Sequence, residues 1–273
     1  MIRAAVIGHP VAHSLSPSIH NYWFRRYGIE GEYTALDIEP ADLAARLSVL
    51  AQEGYAGFNV TVPHKQTVIP LCRHLDDSAR AIGAVNTVVI RNGALEGHNT
   101  DAYGFVENLR EQQPHLALSS TPALLLGAGG AARAAVYGLI QEGCPEIVLA
   151  NRSRENAELL ARDFPSVRVV EWSAREDVCA EVGLLVNTTV LGMKSQDPLM
   201  MNLTHLPPHA VVYDIVYKPL MTDLLRAAQI RGHAIVTGIG MLLHQARPAF
   251  ASWTGVHPEV TAELVIDITE RAR

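Results

Sequence analysis

The apolar run ALLL at 123–126 passes directly into GAGGAAR at 127–133 and then into AAVYGLIQ, a helix-forming segment. No other stretch narrows the possible folds so far. A buried strand, a glycine turn and an immediate helix read as the opening of a βαβ unit that takes a dinucleotide, the alternative being an ordinary tight βα turn with no ligand. Gly127 permits the tight turn, Gly129 lets the backbone approach a pyrophosphate, and Ala132 keeps the helix close to the strand. The start of that helix offers unpaired N–H groups and a partial positive charge to phosphate oxygens. A second strand, EIVLA at 146–150, follows at the spacing such a unit requires. An NAD site usually carries Asp or Glu at the tip of that strand, for the ribose 2′-hydroxyl. Here the tip reads Asn151-Arg152-Ser153-Arg154. Arg152 and Arg154 can meet a 2′-phosphate with charge-assisted hydrogen bonds, and Ser153 can donate to it or cap the next helix. NADP is therefore expected over NAD.

The rest of the chain alternates strand and helix signals. In the first half, strands are expected at 4–8, 31–38, 57–62 and 84–90, with helices at 16–28 and 40–54, and Asn92-Gly93 signals a hairpin turn. Ser16 and Pro17 read as the N-cap and first turn of the helix at 16–28. Further strands are expected at 167–170, 184–189 and 210–217, and a helix near 154–163. From Gly238 the chain reads as helix. The runs in the second half are apolar nearly throughout, which suits parallel strands buried on both faces. The expected fold class is α/β with parallel sheets in both halves. The polar segment at 111–121 is a candidate connection.

Composition removes several function classes. At roughly 100–200 residues per domain, 273 residues make one large domain or two modest ones. A net charge of −6 argues against a general nucleic-acid binder. Cys72, Cys144 and Cys179 form no CxxC pair, so neither a disulfide framework nor a metal site is expected, and a reducing, cytoplasmic setting is. No apolar run approaches the length of a membrane span.

Several polar residues fall where strands should end. Ser14 and Ser16 precede a helix, where hydroxyls and N–H groups can hold a carboxylate; capping by Ser16 alone would explain one serine and not both. In FNVTVPHK at 58–65 the period of two puts Asn59 and Thr61 on one strand face, and Lys65 follows at the C-terminal end, where open α/β sheets bind ligands. A lysine there suits acid–base work or is a plain surface charge. Asn86 lies within an apolar strand, so its amide must bond either backbone or ligand. Asp101, near a helix start, is either an N-cap or a carboxylate that orients Lys65.

Taken together, GHPVAHSLSPSIHN (8–21), NVTVPHK (59–65), GAVNT (83–87), GHNTDAYG (97–104), GAGGAAR (127–133), NRS (151–153), NTTVLGM (187–193), DIVYKPLMTDLL (214–225) and GIGMLLHQA (238–246) resemble the shikimate dehydrogenase family, in order and over the whole chain. The resemblance implies reversible NADPH-linked reduction of 3-dehydroshikimate to shikimate. It implies Ser14 and Ser16 at the substrate carboxylate with Tyr217 nearby, and Asn59, Thr61, Asn86 and Gln245 around the ring hydroxyls. Lys65 and Asp101 would be the catalytic pair. Gly127, Ala128, Gly129, Gly130 and Ala131 would hold the cofactor, with Asn151, Arg152, Ser153, Arg154 and Asn156; Ile215 and Gly238 would lie near the nicotinamide. The family fold implies a substrate domain of residues 1–101 with 239–273 and an inserted Rossmann-type NADP domain of residues 102–238. The family offers monomers and dimers, so a homodimer is admitted.

Three departures stand out. Asn156 occupies the place where the family often has a second arginine, Val190 replaces a frequent proline, and Thr237 replaces a polar amide or acid. His98, variable in type, is expected to be a loop histidine. The first departure keeps open an NAD-using quinate/shikimate enzyme. A ligand-sensing relative without turnover is the other alternative, and the presence of both Lys65 and Asp101 speaks against it.

Overall fold

The structure is a computed structural model that describes residues 1–272, so Arg273 lies outside the described residues. The chain separates into two compact units, Met1–Asp101 with Leu243–Arg271, and Ala102–Leu242.

The first unit opens with β1 (Ile2–Gly8), α1 (Ser16–Arg26), β2 (Gly31–Asp37), α2 (Leu43–Gln52) and β3 (Gly57–Val60). It continues with α3 (His64–Thr67), β4 (His74–Leu75), α4 (Asp77–Ile82), β5 (Thr87–Arg91) and β6 (Ala94–His98). Its sheet runs β2-β1-β3-β5-β6-β4. Pairs β1–β2, β1–β3 and β4–β6 are parallel, whereas β3–β5 and β5–β6 are antiparallel. The sheet expected in this half is mainly parallel, and it is: three pairs are parallel, and the two antiparallel pairs both involve β5. Asn92 and Gly93 have φ of 52° and 75°, the left-handed pair that a two-residue hairpin needs, and the hairpin turns β6 back along β5. Leu43, Leu47 and Leu50 lie on one face of α2 and are buried against Ile7, Phe58 and Val60.

The second unit holds α5 (Asp101–Gln112), β7 (Ala123–Leu126), α6 (Gly130–Gln141), β8 (Ile147–Ala150), α7 (Arg154–Asp163) and β9 (Val167–Val170). It continues with β10 (Leu184–Asn187), β11 (Val211–Asp214), α8 (Asp223–Ile230) and β12 (Ala234–Val236). All pairs in its sheet are parallel, in the order β12-β11-β10-β7-β8-β9. Counted from β7, this is the doubly wound dinucleotide-binding order, and its switch point lies between β7 and β10. Along β7 the side chains alternate between two cores. Ala123 and Leu125 join one, Leu124 and Leu126 the other, so an unbroken apolar run is what the sheet demands. The helices α9 (Ile239–Thr254) and α10 (Ala262–Ala272) close the chain.

Some expected boundaries shift. β3 ends at Val60, so Thr61 lies just past the strand, although its N–H still reaches Ile7 O at 2.9 Å. β5 starts at Thr87, so Asn86 precedes it. β11 ends at Asp214, which leaves Ile215 and Tyr217 beyond the strand. Elements α3, α4, α8, β4 and β12 were not expected, and β6 was signalled only through the Asn92-Gly93 turn; α3, α4, β4 and β12 carry too few residues to show a period. No helix among the described residues is long and apolar enough to cross a membrane.

Candidate active site

In the first unit, three backbone segments meet around Asn86. Val85 N–H donates to Lys65 O at 2.8 Å, Asn86 N–H to His98 O at 3.0 Å, and Val60 N–H to Asn86 O at 2.8 Å. The Asn86 side chain then ties the polar residues together. Its Oδ1 accepts from Thr100 N–H (2.8 Å) and Thr87 Oγ1 (3.0 Å). Its Nδ2 donates to Thr100 Oγ1 (2.9 Å) and Asp101 Oδ1 (2.7 Å), and lies 3.5 Å from Gln245 Oε1. Lys65 Nζ donates to Asp101 Oδ2 at 2.5 Å. The lysine side chain keeps 30% of its surface exposed and the aspartate 13%. The arrangement is an ammonium with solvent access, held by a largely buried carboxylate whose other oxygen is fixed by an amide. Asp101 is the first residue of α5 rather than its cap; its own N–H is taken by Asn99 Oδ1 at 2.9 Å.

Asn59 sits deeper. Its Oδ1 accepts from Tyr33 Oη at 2.7 Å, and its Nδ2 donates to Thr87 Oγ1 at 3.1 Å and to Asn86 O at 3.3 Å. It is 6% exposed, so its amide supports Asn86 from behind. Ser16 is not the N-cap of α1. Leu15 holds that position without a side-chain cap, and Ser14 Oγ accepts from Ser16 N–H at 3.3 Å. The two serines therefore lie together at the start of α1, Ser16 buried and Ser14 half-buried.

In the second unit, Gly127 has φ of +111°, and a Cβ there would lie 2.7 Å from Thr188 Oγ1. Gly129 caps α6 with no side chain, and both Gly129 and Gly130 are exposed with nothing within 4 Å of an added Cβ. Ala132 is fully buried against the sheet, and Ala128 and Ala131 are half-buried. The turn thus presents bare backbone N–H groups beside the switch point, which fits a pyrophosphate.

At the tip of β8, Ser153 is the N-cap of α7 and accepts from Asn156 N–H at 3.4 Å. Asn151 Nδ2 donates to Ser153 O at 2.8 Å. Arg152 and Asn156 are exposed. Arg154 is paired with Glu158 (2.7 Å) and with Glu171, both pairs about half in solvent. The two arginines, equal in sequence, thus differ in place.

Beyond β11, Ile215 N–H donates to Asn187 O at 3.1 Å, and Gly238 packs so tightly that an added Cβ would strike Ile215 O. Burial pushes the Tyr217 hydroxyl pKa up. Sequence reasoning missed Asn108, which is fully buried on α5. Its Nδ2 donates to Tyr213 Oη and to Thr237 O, both at 2.8 Å, and it anchors the segment that leads to Gly238. Nothing local in YGFVENLR marks it, because its partners lie 105 and 129 positions away.

Comparison with known proteins adds to this geometry. Residues 6–88 match the model of the shikimate dehydrogenase substrate binding domain, and residues 109–202 that of shikimate / quinate 5-dehydrogenase. The chain is 53% identical over 263 residues to a protein of Paramagnetospirillum magneticum named shikimate dehydrogenase (NADP(+)), covering 96% of this chain and 95% of that one. The structure of shikimate 5-dehydrogenase from Thermus thermophilus in complex with NADP(H) and shikimate aligns over 100% of both chains, at 37% identity and a TM-score of 0.89. Quinate dehydrogenase from Corynebacterium glutamicum in complex with NAD aligns at 32% identity and a TM-score of 0.90, over 99% of this chain and 98% of that one.

Proposed function

The chain belongs to the shikimate dehydrogenase family, and from that membership we infer that it is an NADP-dependent oxidoreductase that interconverts 3-dehydroshikimate and shikimate. The observation that carries the catalytic assignment is the Lys65–Asp101–Asn86 arrangement, because reduction of a ketone needs a proton delivered to the carbonyl oxygen.

Bound NADPH supplies the hydride; orientation and the proton are the work of the protein. Lys65 Nζ gives its proton to the substrate oxygen in reduction and takes it back in oxidation. Asp101 Oδ2 holds the ammonium, and Asn86 fixes Asp101 through Oδ1. Ser14 and Ser16 bind the substrate carboxylate with Tyr217, and Thr61, Asn86 and Gln245 meet the ring hydroxyls. Asn59 belongs to the same group, and its amide also holds Thr87 and the Asn86 carbonyl.

Residues 127–131 receive the pyrophosphate at the start of α6. Residues 151–156 receive the adenosine 2′-phosphate, with Arg152 as its cation, and Ile215 and Gly238 flank the nicotinamide. The substrate domain is residues 1–101 with the C-terminal helices, and the NADP domain is the inserted segment. Free Cys72, Cys144 and Cys179 suit a cytoplasmic enzyme, and a homodimer, taken from the family, is checked by sedimentation equilibrium.

Initial rates with NADP or NAD against shikimate or quinate test the function. The highest kcat/KM is expected for NADP with shikimate. Equal kcat/KM for NAD and NADP would overturn the cofactor assignment, and binding of shikimate without turnover would favour a sensor.

A further inference from the structure

A second polar cluster lies in the cofactor unit, away from Lys65 in sequence and outside every motif role assigned above. Asp214, the last residue of β11, has no exposed surface. Its Oδ1 accepts from Asn187 Nδ2 at 2.9 Å and from Val216 N–H at 3.0 Å, and its Oδ2 accepts from Thr222 Oγ1 at 2.7 Å. Thr222 in turn caps α8 by accepting from Leu225 N–H. Asn187, the last residue of β10 and also fully buried, accepts from Thr189 N–H (3.0 Å) and Thr189 Oγ1 (2.7 Å) through Oδ1, and its Nδ2 also reaches Leu191 O (3.1 Å). One carboxylate therefore joins the ends of two neighbouring strands to the start of a helix.

Its place matters more than its burial. Ile215 and Val216 leave β11 directly after Asp214, and the bond from Val216 N–H sets how the chain leaves. On the other side, Gly238 lies against Ile215 O, and Asn108 holds Thr237 O. A fully buried carboxylate is a costly choice, and an apolar residue would be the cheaper core. Burial raises its pKa to about 6, against the pull of Thr222, Val216 and Asn187. What the carboxylate supplies that an apolar residue cannot is two acceptor oxygens in fixed positions.

We propose that Asp214 is a positioning residue, which fixes residues 215–217 so that the nicotinamide side of the site is set for hydride transfer. This rests on the assignment of Ile215 and Tyr217 under the proposed function. The pyrophosphate turn has an anchor outside this cluster, Gly127 N–H on Ala150 O at 2.9 Å, so cofactor affinity and hydride transfer are expected to separate.

The test uses Asp214→Ala and Asp214→Asn in the full chain. Asparagine keeps an acceptor for Asn187 and Val216 and offers its amide N–H to Thr222. In D214A, the Val216 amide is expected to exchange hydrogen faster, and kcat for shikimate oxidation to fall about 100-fold. The Kd for NADP+ should stay within about threefold, since the phosphate contacts are untouched. D214N should restore both the protection and most of kcat. A folded D214A with unchanged Val216 exchange, or with wild-type kcat, overturns the proposal. So does a D214A in which kcat and NADP+ affinity decline together, which marks a purely structural role. If D214A does not fold, Asp214→Ser is read in the same assays, because one hydroxyl cannot span Asn187 and Val216; failure of both to fold also overturns the proposal. A wild-type protein that did not oxidise shikimate would overturn the functional assignment instead, and the Val216 exchange would still decide whether Asp214 holds the segment.

Discussion

Lys65 and Asp101 share a 2.5 Å hydrogen bond, and the second oxygen of Asp101 is occupied by Asn86 Nδ2 at 2.7 Å. The carboxylate cannot rotate away without breaking both. The lysine is thereby held at one point while its exposed side stays open to a substrate. This geometry separates holding the proton donor from binding the substrate.

It follows that Lys65→Ala should lower kcat by about 10²–10⁴-fold, the usual share of an acid–base group. Substrate affinity should be largely kept, because the contribution is confined to the transition state. Steady-state rates with a separate measurement of shikimate binding check this. A K65A enzyme with near-normal kcat sinks the assignment.

Gly127 and Gly129 should respond differently to alanine. At Gly127 the φ of +111° is strained for alanine, and Thr188 Oγ1 stands in the way, so G127A should lose about 1–3 kcal/mol of stability and also bind NADP+ more weakly. At Gly129 an added methyl meets open space, so G129A should keep its Tm. The same methyl would stand where the pyrophosphate approaches, and NADP+ affinity should fall. Thermal melts paired with titration calorimetry distinguish the two. A G129A protein with unchanged NADP+ affinity removes the turn from the cofactor site.

Arg152 and Arg154 make a second contrasting pair. Arg154 lies between Glu158 and Glu171, whereas Arg152 is exposed at the tip of β8. Surface ion pairs of this kind are weak, so the position of each arginine decides more than its pairing. Arg152→Gln should raise KM for NADP by about 10- to 100-fold, the equivalent of one lost charge-assisted hydrogen bond. Kinetics with NAD should barely change. Arg154→Gln should have a smaller effect on NADP. If the two substitutions act equally, Arg154 leaves its glutamates to bind the phosphate.

What the chain showed before its structure, and what it withheld, has a physical pattern. The passage from ALLL to GAGGAAR was legible because the strand, turn and helix are neighbours in sequence. The helix at 154–163 and the strand at 167–170 were legible for the same reason, each carrying its own period or cap. Ser16 was misread as a cap because a hydroxyl near a helix start has several possible partners; here Leu15 is the N-cap, and Ser14 Oγ accepts from Ser16 N–H. Asn108 and Asp214 were invisible in their roles. A polar residue in an apolar run looks the same whatever it bonds, and its partners here are set by the order of the strands. Lys65 and Asp101 were legible as residue types, but their direct bond and the Asn86 amide that fixes Asp101 belong to the fold.

His20 carries a prediction about stability rather than rate. Its ring is fully buried, stacked on Tyr33 at 4.2 Å and flanked by Trp23, Phe250 and Trp253. Burial drives its pKa down to about 3, with a weaker opposing pull from Asn59. The native ring is therefore neutral throughout the range in which the unfolded ring, at 6.5, takes up a proton. Between those values the unfolded state binds more protons, so stability falls as pH drops through 6.5 toward 3, by up to about 1.4 kcal/mol per pH unit. His20→Phe keeps a ring on Tyr33 and removes the titration. Urea unfolding at pH 7 and pH 5 should then show the variant losing about 2 kcal/mol less than the wild type over that interval. Equal losses would mean that His20 gains a proton in the folded protein, which the aromatic surroundings and its burial oppose.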